Sequence, residues 1–293
     1  MHNREHAVNG LKGETKKIII WADSTSKTKT PFSIVYIHGF SSTRQETAPL
    51  CDIIAKDLGA NLFYTRLTGH GLDGDALSKA TVSDWFNDTE EVIEIGRRIG
   101  ENVIIVGTST GGTLATWIAS KKVKDISALV LLSPNFGLKD KASEILVLPW
   151  AEVLATFILG KTYSWDLINP DHSEYWTTNY PTKALIPMMG LVDLIRNTDV
   201  STITIPVFTA YSSDDSIVDS IETEKTILRF GSDVIVLKIV ENTKDLDNHI
   251  IAGDILAPDN TETLAWFITQ FLLQNLDQTE KISWSQDNKA LKY

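Results

Sequence analysis

The sequence predicts an α/β fold with a mainly parallel central sheet and helices on both of its faces. Short runs rich in β-branched residues alternate along the chain with stretches of helical periodicity. This alternation is typical of parallel strands that are joined by crossover helices. Several strand runs, such as 103–106 and 128–132, are continuously apolar. Because such runs are typical of strands that are covered on both faces, we expect helices above and below the sheet.

Seven segments have the pattern expected of strands. They are Lys17–Trp21, Ser33–His38, Asn61–Arg66, Val103–Gly107, Ala128–Ser133, Pro206–Tyr211 and Val234–Val240. Five further segments have the apolar spacing of helices. They are Thr43–Leu58, Val82–Ile99, Thr110–Lys121, Ser216–Arg229 and Asn260–Leu276. In the second of these helices we expect Ser83 to be the N-cap residue.

The segment Phe136–Thr202 interrupts the alternation of strands and helices. It contains four of the nine prolines and three of the eight tryptophans, and it has no clear strand pattern. Sheet residues resume at Ile203, so the segment is predicted to be an insertion in one core and not an independent domain. We therefore expect a core of residues 1–135 and 203–276, an insertion of residues 136–202, and a polar, loosely held tail of residues 277–293.

The composition excludes several classes of protein. The 293 residues are 43% hydrophobic and 9% aromatic, which is enough for a large globular core. A net charge of −11 opposes nucleic-acid binding, because such binding depends on Lys and Arg that neutralise phosphates. The single cysteine, Cys51, excludes an intrachain disulfide and a cysteine-based zinc site. We expect it to be a buried apolar group.

No segment has the pattern of an export signal or of a membrane anchor. Residues 1–15 lack the basic start and the apolar run of a secretion signal, so we expect a cytoplasmic protein. The most apolar long stretch, Ile145–Gly160, is interrupted by Pro149 and Glu152. It is also shorter than the ~20 apolar residues of a spanning helix. We therefore expect a buried or pocket-covering helix at this position and no stable membrane anchor.

The most informative motif is Gly107–Gly112, which reads G-T-S-T-G-G between an apolar strand and a helix. A bare G-x-S-x-G is a weak signal, but its position in a strand–turn–helix unit is specific. Such a tight turn exposes the serine hydroxyl at the carboxyl end of the strand, and the glycines prevent clashes around it. A phosphate-binding loop needs a lysine where Thr113 stands. We therefore predict that Ser109 is a nucleophile.

A serine nucleophile needs a general base and an acid that orients this base. In folds of this type the chain order is Ser, then Asp or Glu, then His. Of the six histidines, only His249 follows an acidic residue at the end of a predicted strand, so it is predicted to be the base. The loop after Pro206–Tyr211 contains two adjacent candidates for the acid, Asp214 and Asp215. The structural alternative for Asp214 is to cap the following helix.

The oxyanion of a tetrahedral intermediate needs two backbone N–H donors. One donor is expected from the residue after the nucleophile, which is Thr110. The second is expected from Phe40, because Gly39 lets the backbone turn at the end of the strand Ser33–His38. The Phe40 ring is also expected to form part of the wall of an acyl pocket.

These segments together resemble the α/β-hydrolase superfamily, and within it the carboxylesterase and monoacylglycerol-lipase-like branch. The resemblance covers His38–Phe271. It includes Arg66–Gly71, which is similar to the family's GHG loop and in which His70 is expected to be structural. It also includes His249–Asp254, which is similar to the family's histidine loop. The family often has Asp, any residue, Ile or Val, and then Val in the acid loop, which favours Asp215 over its neighbour.

The resemblance implies a helical cap inserted after the family's sixth strand, where Phe136–Thr202 falls. Apolar side chains of this cap are expected to line an acyl pocket. The candidates are Trp150, Leu154, Phe157, Trp165, Trp176, Met188 and Met189.

The resemblance also implies an activity. It implies a serine hydrolase that cleaves a small-molecule acyl ester through an acyl-enzyme, without a metal or an organic cofactor. A carbon–carbon bond hydrolase or a thioesterase would use the same three residues. A non-catalytic ligand receptor on this fold would not need the complete set. The sequence leaves the oligomeric state open.

Overall fold

The computed structural model describes Glu5 and residues 8–276, so the predicted polar tail of residues 277–293 lies outside the described residues. Its strands are Ile18–Ile20 (β1), Thr30–Ile37 (β2), Asn61–Tyr64 (β3), Gly100–Thr108 (β4), Ile126–Leu132 (β5), Thr162–Ser164 (β6), Asn179–Pro181 (β7), Val207–Tyr211 (β8) and Ile235–Ile239 (β9). Within the described residues, seven of these strands form one sheet of order β1-β3-β2-β4-β5-β8-β9. Strand β1 is antiparallel to β3, and all other neighbours in this sheet are parallel.

Helices cover both faces of the sheet. The α-helices are Leu50–Leu58 (α1), Gly74–Leu77 (α2), Val82–Ile99 (α3), Thr110–Lys122 (α4), Ala151–Leu159 (α5), Pro170–Tyr175 (α6), Leu185–Arg196 (α7), Ser220–Ile227 (α8) and Pro258–Asn275 (α9). Short 3₁₀ helices are Arg44–Glu46, Val123–Asp125, Lys141–Val147 and Thr182–Ala184. Helices α1 and α9 pack on one face of the sheet, and α3, α4 and α7 pack on the other.

The continuously apolar strands are buried on both faces, as their sequence predicts. In β4, Val103 and Ile105 belong to the core under α3 and α4, whereas Ile104 and Val106 belong to the core under α1 and α9. All four side chains are fully buried. The seven predicted strands are all present, with ends that differ from the prediction by at most three residues. The predicted fold class is therefore confirmed.

Two predicted helices are shorter than expected. The segment Thr43–Leu58 is not one helix, because Pro49 has no N–H for a helical hydrogen bond and α1 begins only after it. The segment Ser216–Arg229 is helical only from Ser220. Asp219 accepts a hydrogen bond from Ile221 N and is the N-cap there, a role that the sequence assigned to Asp214 as its structural alternative.

The predicted N-cap of α3 is also wrong. Ser83 lies inside the helix, and Thr81 is the N-cap. The Thr81 hydroxyl accepts from Asp84 N, and the Asp84 carboxylate accepts from Thr81 N, which together form a capping box. The error is one of register, since Thr and Ser are both good N-cap residues and stand two positions apart.

The segment 136–202, which is predicted to be an insertion and is called the insertion below, lies between β5 and β8. It carries secondary structure that the sequence did not predict. Strands β6 and β7 form an antiparallel pair in which Tyr163 lies opposite Tyr180. Each has only three residues, which is too few for an alternating pattern to stand out. The apolar stretch Ile145–Gly160 was expected to be one buried or pocket-covering helix, but it divides at Leu148 into a 3₁₀ helix and α5. Much of α5 is exposed, so the stretch is not a buried helix, whereas Ile145, Leu146, Ile158 and Leu159 do line a cavity.

The described residues contain neither a membrane-spanning helix nor a metal-binding cluster. No helix in the described part of the chain is long and apolar enough to cross a membrane. Glu5 and residues 8–276 contain no group of three or more His, Cys, Asp or Glu side chains that could hold a metal ion. Cys51 is buried in α1, as predicted, and burial raises the pKa of its thiol.

Candidate active site

Ser109 stands on a tight turn between the end of β4 and the start of α4. Its φ angle of 51° lies in the left-handed region, which non-glycine residues adopt rarely. The Ser109 N–H donates to Leu132 O of the neighbouring strand at 2.9 Å, which fixes the turn to the sheet. This strained turn places the serine side chain at the carboxyl edge of the sheet, as the motif predicts.

At two positions of the motif there is no room for a Cβ atom, so only glycine fits. A Cβ on Gly107 would lie 2.5 Å from Gly111 O, and a Cβ on Gly111 would lie 2.0 Å from Ile37 O. Both distances are far shorter than any non-bonded contact, and both involve backbone atoms that cannot move aside. The turn therefore packs against β2 and against its own helix so closely that only glycine fits.

Ser109, His249 and Asp215 form a continuous chain of hydrogen bonds. Ser109 Oγ lies 3.0 Å from His249 Nε2, and His249 Nδ1 lies 2.8 Å from Asp215 Oδ2. Asp215 is 3% exposed, and the side chain of His249 is 12% exposed. Asp214, by contrast, is exposed. The three residues that the sequence predicted for catalysis are thus brought together from three separate loops.

Hydrogen bonds from backbone N–H groups hold Asp215 and the loop of His249 in place. Asp215 Oδ1 accepts from the N–H groups of Ile217 and Val218, each at 2.8 Å. The Asp245 carboxylate accepts from the N–H groups of His249 and Ile250 at 2.9 and 2.8 Å. Asp245 is buried and was not predicted as a site residue. Its signal in the sequence is an Asp four residues before the histidine, a spacing that lets a side chain accept from the backbone of a turn.

Negative charge around His249 favours its protonated form. Burial lowers the pKa of the imidazole, but the carboxylates of Asp215, which contacts it, and of Asp245 outweigh this effect. The pKa of His249 is raised to about 9 as a result. An imidazolium cannot accept a proton, so only the neutral form of this ring could serve as the predicted base.

The turn after β2 packs directly on Ser109. A Cβ on Gly39 would lie 3.1 Å from Ser109 Cβ, so the Gly39–Phe40 backbone passes beside the serine. Within the described residues, the N–H groups of Phe40 and Thr110 donate to no acceptor. Two unused donors therefore flank Ser109 at the positions that the sequence predicted for the oxyanion.

His38 and His70 lie behind this turn and are buried. His38 Nε2 accepts from Leu67 N at 3.0 Å, and the His70 ring packs against Phe40 at 5.9 Å between ring centres. Burial lowers the pKa of His38 well below its usual value and that of His70 to about 4. Both rings are thus neutral at physiological pH. Neither hydrogen-bonds to Ser109, which agrees with the structural role predicted for His70.

A cavity of about 720 Å³ opens onto Ser109 and His249. Much of its wall comes from apolar and aromatic side chains of the insertion. These include Ile145, Leu146, Ile158, Leu159, Tyr163, Trp165, Trp176, Tyr180, Leu185 and Met188. The turn Gly39–Phe40 after β2 is called the oxyanion turn below. Its Phe40 completes the cavity wall near Ser109.

Only part of the predicted pocket set lines this cavity. Trp165, Trp176 and Met188 do, and Met188 Sδ lies 3.2 Å from Asn135 Nδ2. Met189 is buried in the core and is not part of the cavity wall. Trp150 and Phe157 lie instead on the outer surface, where they are 82% and 89% exposed, and Leu154 is absent from the cavity wall as well. The reason is the orientation of α5, which places Ile158 and Leu159 at the cavity and Val153 and Phe157 on the outer surface, while Ala151 and Ala155 are buried.

Apart from His172 and His249, the side chains of the cavity wall that can carry a charge near neutral pH are all acidic. The carboxyl groups are those of Glu46, Asp140, Asp166, Asp245 and Asp247, and no Lys or Arg lines the cavity in the described part of the chain. His172 is packed between Trp165 and Trp176, and burial lowers its pKa. The cavity is therefore apolar in its wall and negative in its charge.

The family model of the serine aminopeptidase S33 type matches residues 29–244. This chain belongs to that family. The matched region contains Ser109 and Asp215 and ends shortly before His249. The resemblance to monoacylglycerol-lipase-like α/β-hydrolases, first seen in the sequence motifs, is thereby confirmed.

Comparisons with individual proteins agree with the family. The chain is 25% identical to a thermostable monoacylglycerol lipase of Bacillus sp. (strain H-257) over 188 residues, which are 64% of this chain and 72% of that protein.

Solved structures of low identity share the fold. A structure of the metagenome-derived lipolytic enzymes LipS and LipT has a TM-score of 0.72 at 17% identity and covers 90% of this chain and 99% of its own. A soluble variant of monoglyceride lipase from Saccharomyces cerevisiae, in complex with a substrate analogue, has a TM-score of 0.68 at 17% identity. It covers 89% of this chain and 92% of its own.

Proposed function

We propose that this protein hydrolyses carboxylic esters in two steps through an acyl-enzyme on Ser109. The hydrogen bonds from Ser109 through His249 to Asp215, which end in an apolar cavity, carry the proposal. A hydroxyl that is hydrogen-bonded to an oriented imidazole is the arrangement that activates a serine. The cavity supplies the place where an acyl chain would lie next to that hydroxyl.

In the first step the Ser109 hydroxyl attacks the ester carbonyl while its proton passes to His249 Nε2. Asp215 holds the Nδ1 proton towards itself and stabilises the imidazolium. The N–H groups of Phe40 and Thr110 donate to the oxyanion. When the tetrahedral intermediate collapses, the proton on Nε2 goes to the leaving alcohol. Water then attacks the acyl-enzyme by the same route and releases the acid.

A neutral acyl ester fits the cavity best. Its apolar wall favours a hydrocarbon chain, and the monoacylglycerol lipase from Bacillus supports a lipid ester as the substrate. The acidic side chains disfavour anionic substrates, because like charges in a partly buried site repel each other strongly. This argues against thioesters with a polyphosphate-bearing leaving group. The division into core and cap and the cytoplasmic location stay predictions.

A second candidate is the hydrolysis of an amide next to a free amino group, as the family's description names. The acidic cavity favours it, since carboxylates attract an ammonium group. Aminoacyl p-nitroanilides test it directly. Turnover of anilides at a rate comparable to that of esters would replace the ester proposal.

The test of the proposed function measures hydrolysis of p-nitrophenyl esters from acetate to palmitate by the wild type and by Ser109→Ala. We expect wild-type turnover to fall by at least about 10³-fold in the variant. Ser133→Ala is a matched control, because Ser133 is also buried and also has a positive φ of 41° at the end of a neighbouring strand. It is expected to retain activity.

Labelling identifies the nucleophile independently of substrate choice. A fluorophosphonate should modify Ser109 in the wild type and in Ser133→Ala, as read by mass spectrometry, and should leave Ser109→Ala unlabelled. If the wild type neither reacts with the probe nor cleaves any ester, the proposal is wrong. A receptor or a specialised carbon–carbon bond hydrolase would then be the better interpretation.

A further inference from the structure

Glu46 is a buried carboxyl that the proposed reaction does not use. It ends the 3₁₀ helix Arg44–Glu46, is 1% exposed, and lines the cavity near Ser109. Buried carboxylates are usually paired with a cation. Among the described residues, Glu46 forms no ion pair with Lys or Arg. An unpaired buried charge is costly, so the protonation of this group needs a physical explanation.

Three groups around Glu46 form its hydrogen bonds. Oε1 accepts from the Tyr36 hydroxyl at 2.7 Å and from Gly39 N at 2.6 Å. Oε2 lies 2.5 Å from Ser42 Oγ. Tyr36 is also bonded to Thr108 Oγ1 at 2.9 Å, next to the nucleophile. The carboxyl group therefore joins β2, the oxyanion turn and the residue that precedes Ser109.

The number of protons in this network distinguishes the two forms of Glu46. Ser42 Oγ lies close to two oxygens, Glu46 Oε2 and Gly39 O, the second at 2.9 Å. A hydroxyl has one proton and can donate to only one of them. If Glu46 carries a proton on Oε2, it donates to Ser42 Oγ, and Ser42 donates to Gly39 O. If Glu46 is ionised, one of these two contacts lacks a proton.

We propose that Glu46 is held as a neutral carboxylic acid and that it positions the turn that carries the Phe40 N–H. The neutral form satisfies each contact that the structure shows. It also keeps a negative charge away from the site where the oxyanion would develop. Glu46 acts through the turn and touches no reacting atom, so it is a positioning residue.

The electrostatics of the pocket agree with this protonation. Burial is the largest effect and raises the pKa of Glu46 to about 7, against its hydrogen bonds and the nearby His249 imidazolium, which lower it. The other titratable group that contacts Glu46 is Tyr36 on β2, and Cys51 on α1 acts in turn on Tyr36. Burial raises the pKa of Tyr36 and of Cys51, so both are uncharged. His249 is thus the charged partner that faces Glu46.

Close packing gives Glu46 its influence on the turn. A Cβ on Gly39 would lie 3.0 Å from Glu46 Oε2 and 3.1 Å from Ser109 Cβ, so the turn is held between the carboxyl and the nucleophile. On its other side, a Cβ on Gly253 would lie 2.5 Å from Glu46 O. Glu46 therefore contacts both the oxyanion turn and the loop that follows His249.

The first test compares Glu46→Gln and Glu46→Ala in ester hydrolysis, and its catalytic part rests on the proposed function. Gln reproduces the neutral acid, because its oxygen accepts from Tyr36 and Gly39 and its NH₂ donates to Ser42. We expect kcat of Gln within about twofold of the wild type at pH ~6, and kcat of Ala lower by about 10²-fold with KM little changed. Glu101→Gln, on an exposed residue at the opposite end of β4, is the control.

At pH ~9 we expect the wild type and Glu46→Gln to differ. Wild-type Glu46 is then largely ionised, whereas Gln stays neutral, so Glu46→Gln should be several-fold faster than the wild type. A purely structural role of Glu46 would not produce this divergence of the two pH profiles. A Gln variant as slow as Ala at pH ~6, or an Ala variant as fast as the wild type, would overturn the proposal.

A direct measurement separates this proposal from the proposed function. The infrared difference spectrum between wild type and Glu46→Gln should contain the carbonyl stretch of a protonated carboxyl at pH ~6, and this band should disappear at pH ~9. The measurement needs no substrate, so it holds even for a protein that cleaves no ester. Absence of the band at pH ~6 would show an ionised Glu46 and overturn the inference.

Discussion

The core and the insertion of this protein differ in how strictly their residues are placed. In the core, β4 is fully buried from Val103 to Val106, and backbone hydrogen bonds fix each predicted catalytic side chain. In the insertion, Trp150, Val153 and Phe157 are 82%, 68% and 89% exposed on short elements. The core therefore determines which chemistry is possible, and the insertion shapes the cavity that a substrate must fill.

The largest effect that would sharpen this comparison is expected from the acid in the core. Asp215→Asn keeps an oxygen for the N–H groups of Ile217 and Val218 but no longer fixes the His249 tautomer, so kcat should fall by about 10⁴-fold. Asp214→Asn, one position away and exposed, should leave kcat within about twofold. Ester kinetics of both variants are the measurement. An equal loss of kcat in the two variants would mean that the activity depends on the structure of the loop and not on the Asp215 carboxylate.

The next largest effect is the pH dependence that the core imposes. Because His249 must be neutral to accept a proton and its pKa is raised to about 9, kcat/KM should increase about tenfold per pH unit between pH ~5 and pH ~7. Asp245→Asn should shift this rise to lower pH, since Asp245 contributes to the raised pKa of His249. Asp247→Asn is the matched control at an exposed position in the same loop. A flat profile over this range would contradict the assignment of His249 as the base.

The smallest effect is expected in the insertion. Met188→Phe adds volume to the cavity wall, so kcat/KM for long acyl esters should fall by about tenfold while acetate is cleaved nearly as before. Phe157→Ala removes a larger side chain from the outer surface and should change neither value for dissolved esters. The measurement is kcat/KM of each variant as a function of the acyl-chain length of the ester. If Phe157→Ala lowers the rate for long chains as much as Met188→Phe does, the cavity described above is not where the acyl group lies.

The fold could be predicted where local pattern and tertiary burial agree. Runs such as Val103–Val106 are apolar throughout because both faces of the strand are covered, so the pattern alone locates them. The prediction of one helix over Thr43–Leu58 was wrong because the apolar spacing continues across Pro49, where the backbone cannot continue a helix. Strands β6 and β7 were not predicted because a strand of three residues is too short to show an alternating pattern of apolar and polar residues.

The site could be predicted to the extent that each residue is adjacent to a motif. Ser109, Asp215 and His249 follow strands and stand in recognisable short sequences, and the structure brings them within hydrogen-bond distance. Asp245 and Glu46 carry no motif, since their importance comes from loops that meet only in the folded chain. The surface position of Trp150 and Phe157 depends on the orientation of α5, which the composition of the helix does not encode.

The acidic wall of the cavity has a consequence for turnover. Under the proposed reaction a neutral ester enters and a fatty acid, ionised near neutral pH, is left behind. Carboxylates such as Asp140, Asp166 and Asp247 repel this anion from the cavity, and no Lys or Arg in the described wall retains it. The charge pattern thus favours departure of the product and resistance to product inhibition, most strongly at low ionic strength.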